Sequence, residues 1–197
     1  MSRGSGGPRR SGGPRSHPDT SVRPAVPGDE RAIAALQWGA WRVLLTGEEL
    51  AAQGLSEERL RAGWEAALSS PRPASAALVV ALHGNSVVGF ALAGPDDEAG
   101  AAGGPPGAAP AQTGGVPAAV PTQIYELVVE PRFCRSGHGS RMLAAVADLV
   151  GGAMRVWIDA RDEARQRFFS STGFAPAGAG RTIGDGHTQH LWWARAE

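Results

Sequence analysis

The sequence predicts a mixed α/β fold, one layer of six or seven strands carrying about four helices, and three patterns predict it. Apolar residues recur at helical spacing in some segments and as short β-branched runs in others. Their order reads β α α β β β α β α β β, so three consecutive strands precede a strand–turn–helix crossover. The chain has 197 residues, enough for one sizeable core and too few for two comfortable ones.

Element by element, Ser21–Val26 reads as a short first strand. Asp29 is placed to cap a helix with Ile33, Leu36, Ala40, Val43 and Leu44 on one face, ending at Gly47. Ser56 can cap a second helix with Leu60, Trp64, Ala67 and Leu68 on its apolar side. Ala76–Leu82 and Val87–Ala93 form a hairpin around His83-Gly84-Asn85-Ser86. Gln123–Val129 is a strand ended by Pro131, which cannot continue a ladder in a sheet interior. A glycine-bearing turn leads into a helix with Met142, Leu143, Val146, Leu149 and Val150 on one face, stopped by Gly151-Gly152. Val156–Ile158 is the next strand. Asp162 caps a helix containing Ala164, Phe168 and Phe169, which Gly173 closes. Two weaker strands, near Arg181–Ile183 and Gln189–Ala194, flank Gly184-Asp185-Gly186.

Two segments fall outside this scheme. Residues 1–20 are rich in Arg, Gly and Pro and cannot bury enough apolar surface to offset the entropy of ordering, so a disordered tail is expected. Residues 95–121 turn to Ala, Gly and Pro without periodicity and are expected to be a flexible insertion in the domain that spans 21–197.

Composition excludes several classes. The formal net charge is zero, and five of the arginines lie in residues 1–24 against one aspartate, leaving a mildly acidic body. A nucleic-acid-binding domain should instead present a basic face. One cysteine, Cys134, permits no intramolecular disulfide, and no run approaches 18 apolar residues. A cytoplasmic protein is expected, with no membrane partner, as a monomer or homodimer. His187 and His190 are close in sequence but have no Cys or further His nearby, so no metal is expected.

The chemistry-bearing stretch is Leu127-Val-Val-Glu-Pro131-Arg-Phe-Cys134-Arg-Ser-Gly137-His-Gly139-Ser-Arg-Met-Leu143. A strand enters a loop whose two glycines stand where a helix begins. Amides there lack helical partners and face outward at the positive end of the helix dipole, an anion site that glycine opens to close approach. Arg135 can add a charge-assisted contact and Ser140 a hydroxyl. A dinucleotide fingerprint would need glycine where Met142 stands, and a P-loop needs a lysine that the chain lacks.

What remains resembles the acyl-CoA loop of the GNAT superfamily, Val-x-Pro followed by Arg/Gln-x-x-Gly-x-Gly/Ala. Val129-Glu130-Pro131 and Gly137-His138-Gly139 match it, while Cys134 stands where Arg or Gln is usual. Downstream, Asp162 occupies the place of the family's helix-start Asn, and Gly173-Phe174 fits its terminal Gly-Phe. The hairpin with Val88-Gly89-Phe90-Ala91 is similar to the family's second and third strands.

The resemblance implies a mostly antiparallel twisted sheet whose fourth and fifth strands splay apart. It implies acetyl-CoA as co-substrate, its diphosphate on Cys134, Arg135, Ser136, Gly137, His138, Gly139 and Ser140, and its pantetheine along Leu127, Val128 and Val129. Asp162 and Phe169 would complete the cofactor site, and Trp38, Trp41 and Gln123 the acceptor pocket. The implied activity is N-acetyl transfer to a primary amine of a small molecule or peptide in a ternary complex. An aliphatic ammonium has a pKa of about 10, so a base is needed before attack. Tyr125 is the better oriented candidate; Glu126 is the better base but faces the other side of the strand unless a bulge intervenes. Phe169 stands where the family's acid tyrosine does, without its hydroxyl. A CoA-binding regulatory protein with little or no catalysis is therefore the alternative.

Overall fold

A computed structural model describes residues 20–96, 121–183 and 186–194. The expected tail and insertion lie, but for Thr20, Pro95, Asp96 and Pro121, outside the described residues. Seven strands form one sheet in the order β1-β2-β3-β4-β5-β7-β6. They are β1 (Thr20–Pro24), β2 (Ala77–His83), β3 (Ser86–Pro95), β4 (Thr122–Val129), β5 (Met154–Asp159), β6 (Ala175–Ile183) and β7 (His187–Ala194). Five helices accompany them: α1 (Glu30–Leu44), α2 (Gly47–Ala52), α3 (Glu57–Ser69), α4 (His138–Val150) and α5 (Glu163–Ser171). Every pairing is antiparallel except β4 with β5.

The two faces of the sheet carry separate cores. Ala91, Ile124 and Val156 pack under Met142, Leu143 and Val146 of α4 and Phe169 of α5. On the other face Leu78, Val80 and Phe90 meet Ile33 of α1 and Leu68 of α3. Strand alternation produces this division, since successive side chains leave opposite faces.

Local chemistry starts α3 and bounds α5 where the sequence predicts. Ser56 Oγ accepts from Arg59 N–H, and Asp162 Oδ1 from Arg165 N–H. After α5, Gly173 takes φ 91°; Phe174 N–H bonds to Phe169 C=O and Gly173 N–H to Ser170 C=O. The Phe169 and Phe174 rings meet at 5.0 Å, completing the glycine-terminated cap with its apolar contact.

Three expectations are corrected. Gly47 does not close the first helix; α1 stops at Leu44, and Thr46 opens a short α2 by a reciprocal bond with Glu49. Asp29 precedes α1 without capping it by its side chain, which is held instead by Arg23 at 2.6 and 2.8 Å and by Val26 N–H. Val43 and Leu44 are not core residues: they are 83% and 75% exposed, and Gln37 takes the buried position one to two turns earlier. The last strands are also longer than their apolar content indicates, because pairing with β7 carries the small residues of β6 into the sheet.

Candidate active site

β4 and β5 pair only through Thr122↔Met154, Gln123↔Arg155 and Ile124↔Val156. Beyond Ile124 the strands part. On the other edge of β4 the register with β3 slips between Leu92↔Glu126 and Ala93↔Ile124, so Tyr125 is an extra, bulged residue. The bulge reverses the alternation at the point where the strands separate. Ile124 and Leu127 consequently face α4, whereas Glu126 faces α1.

A cleft of about 760 Å³ opens at this divergence, bounded by Trp41 of α1, Tyr125–Val128 of β4, Trp157 and Asp159 of β5, and Asp162 and Arg165 at the start of α5. Its size is that of a small-molecule site. Glu126 is the carboxylate that β4 contributes to it. Gln37 Nε2 donates to Glu126 Oε1 at 2.6 Å, and Trp64 Nε1 donates to Gln37 Oε1 at 2.7 Å. Glu126 Oε2 is buried without a hydrogen-bond partner among the described residues. Burial pushes the Glu126 carboxyl above its ordinary range; Gln37, Trp41 and, at longer range, Arg165 act the other way without overcoming it. Tyr125 is 44% exposed, and its hydroxyl donates to Pro95 C=O at 2.6 Å.

The glycine turn lies along the same strand. After Pro131–Phe133, Arg135 and Gly137 both adopt positive φ, 63° and 80°. Gly137 is suited to that conformation; Arg135 holds it as an L-residue. Arg141 N–H makes the first intrahelical bond, to Gly137 C=O, so the amides of His138, Gly139 and Ser140 precede it. Cys134, Arg135, Ser136, Gly137 and Ser140 are exposed, so the bend is open to solvent. Arg141, missed in the sequence, drapes over the bend through Nη1 to Ser136 C=O at 3.1 Å.

Two of the expected residues have unexpected surroundings. A Cβ on Gly139 would lie 2.9 Å from Phe168 Cζ and 3.7 Å from Leu127 Cδ2, so this glycine first admits the Phe168 ring. His138 turns its side chain inward, 1% exposed, beside Phe133 and His83. Burial, then His83 and Arg141, hold its pKa below the ordinary imidazole value.

The fold thus gathers Trp41, Tyr125, Glu126, Leu127, Val128 and Asp162 at one cleft, with Val129 and the turn beyond them on the same strand. It does not bring in the others. Gln123 is buried ahead of the bulge, opposite Gly94 and Arg155, and Trp38 lines a separate hollow with Leu50 and Leu55. Phe169 is fully buried in the core against Phe174. Sequence reasoning missed Gln37, Trp64 and Arg165. Arg165 had no local signal, and Gln37 was legible only as one polar residue on an apolar helix face.

Known proteins share this fold. A Bacillus cereus acetyltransferase of the GNAT family superposes with a TM-score of 0.60 at 15% identity, covering 91% of this chain and 99% of that one. A Salmonella typhimurium protein described as an acetyltransferase, solved with its cofactor acetyl-CoA, gives 0.62 at 17% identity over 91% and 95%. These likenesses are of fold. Mycothiol acetyltransferase of Streptosporangium roseum is 41% identical over 49 residues, 25% of this chain but 14% of that protein. The chain therefore spans a small part of that relative's length. Residues 33–174 match the sequence model of the acetyltransferase (GNAT) family, and the chain belongs to that family.

Proposed function

We propose that the protein transfers an acetyl group from acetyl-CoA to a primary amine of a small molecule or peptide, by direct attack in a ternary complex. The observation that carries this reading is Glu126, a half-buried carboxylate with one oxygen held by Gln37, lining a cleft where β4 and β5 part. A base raised above the ordinary carboxylate range accepts a proton from an ammonium more readily than a solvated one. Holding donor and amine together supplies much of the remaining rate through orientation.

The turn fits a diphosphate. Its amides are unspent by the helix, its backbone is open, and Arg135 and Arg141 flank it. In this reading the main chain of Leu127–Val129 receives the pantetheine arm along the edge that β5 leaves unpaired. Trp41 forms one wall of the amine pocket.

The test pairs CoA titration with release of free thiol from acetyl-CoA over an amine panel. Glu126→Gln should retain acetyl-CoA binding and lose about 10²–10⁴-fold in kcat/KM. A fully active Glu126→Gln variant would remove Glu126 as the base. The second reading, a CoA-binding protein with little catalysis, is favoured by the burial of Phe169 in the core with no hydroxyl to offer. Binding of acetyl-CoA with no thiol release from any amine would select it.

A further inference from the structure

Acyl transfer from a thioester must leave an electron pair on sulfur, and the cleft offers few groups to receive it. Among the described residues its one lining hydroxyl is that of Tyr125, which donates to Pro95 C=O. His187 lies 3.3 Å from Asp159 and its side chain is 56% exposed, and Arg161 is exposed. Arg165 differs from both. It is half-buried, its Nε is sealed from solvent with no hydrogen-bond partner among the described residues, and its guanidinium carbon stands 5.6 Å from the centroid of the Phe169 ring.

The position of Arg165 follows from the helix. Phe168, three residues on along α5, meets both Gly139 of the glycine turn and, through that contact, the neighbourhood of Leu127. Residues three apart share a helix face, so Arg165 lies on the face of α5 that follows β4 from the turn into the cleft. There it lines the same wall as Leu127 and Glu126, within electrostatic reach of Glu126 and Asp162 but in no direct ion pair with either among the described residues. A guanidinium whose buried Nε–H has no partner among the described residues is preorganised for an anion that arises only during reaction.

We propose that Arg165 is a catalytic residue that stabilises the departing CoA thiolate. The inference rests on the acetyl-CoA reading above. The amine nitrogen forms its bond to the carbonyl carbon as the carbon–sulfur bond breaks, and the bonding pair leaves on sulfur, opposite Arg165. Of the two protons that the ammonium loses, the first goes to Glu126 before attack and the second leaves to solvent as the amide forms, so sulfur departs as thiolate and takes a proton later from solvent. The remaining charged groups facing the cleft are Glu49 from α2, Glu126 from β4, Asp159 and Arg161 at the end of β5, Asp162 before α5 and His187 from β7. Their acidic majority raises a bound thiol's pKa, so a depressed value requires a cation close to sulfur.

The experiment titrates the thiolate absorbance of CoA bound to the full chain, alongside acetyl-CoA affinity and turnover. In the wild type the bound thiol should ionise at least about one unit below its value in the Arg165→Met complex, with Arg165→Lys between. Turnover of Arg165→Met should fall by about 10²–10³-fold while acetyl-CoA affinity stays within about threefold. Arg165→Gln serves if the methionine variant does not fold. An unchanged thiol pKa in a variant that binds CoA overturns the inference. An effect confined to KM for acceptors bearing a carboxylate overturns it too, making Arg165 an acceptor anchor. Failure of the wild type to bind CoA removes the acetyl-CoA reading itself.

Discussion

Replacing Gln37 by leucine tests whether the chain from Trp64 through Gln37 to Glu126 both holds the fold and tunes the carboxylate. Gln37 is 6% exposed and makes bonds of 2.7 Å with the Trp64 indole and 2.6 Å with Glu126. A bond to a charged group contributes about 1.5–3 kcal/mol and a neutral one about 0.5–1.5 kcal/mol. Leucine regains about 1 kcal/mol through its greater apolar burial. The net loss should be about 1–3 kcal/mol, read by urea unfolding followed through tryptophan fluorescence. In a domain of this size each kcal/mol is also about 2–4 °C in Tm.

The pH dependence separates this account from simple mispacking. Gln37 favours the charged form of Glu126, whose pKa burial has raised. A raised acid makes the native state bind more protons than the unfolded one, so its burial costs stability as pH rises through the window above the unfolded value. Without Gln37 that window extends to higher pH. The variant should therefore lose more stability near neutrality than in acid, and its acid limb of kcat/KM should move to higher pH. A loss equal at both pH values, or a limb that stays in place, would refute the reasoning.

Further outcomes follow from packing and burial around the turn. Gly139→Ala places a Cβ 2.9 Å from the Phe168 ring and should cost about 1–2 kcal/mol. In a Phe168→Ala background the same change should stabilise by up to about 1 kcal/mol through helix propensity, so a double-mutant cycle must change sign. His138 is held below the ordinary imidazole value by burial, so the native state binds fewer protons than the unfolded one. That contribution is fully present above about 6.5 and lost as pH falls below it. His138→Phe should remove this acid-side loss, and an unchanged drop in the urea midpoint between neutral and acid pH would assign it elsewhere.

Features whose causes are local could be read from the residues alone. Ser56, Asp162 and Gly173 bound helices through groups within a few residues, and the Val129–Ser140 stretch carries its turn in its own glycines. The order of strands and helices was legible for the same reason, since period and punctuation are properties of short windows. Which face of β4 carries Glu126 depends instead on long-range pairing. The bulge at Tyr125 exists in the register with β3, more than thirty residues away, and a single extra residue exchanges the faces of all that follow. Gln37 and Glu126 are 89 residues apart, and Arg165 reaches their cleft because β5 diverges after Val156. Contacts of that kind depend on where separate elements come to rest, and no local pattern of residues encodes them.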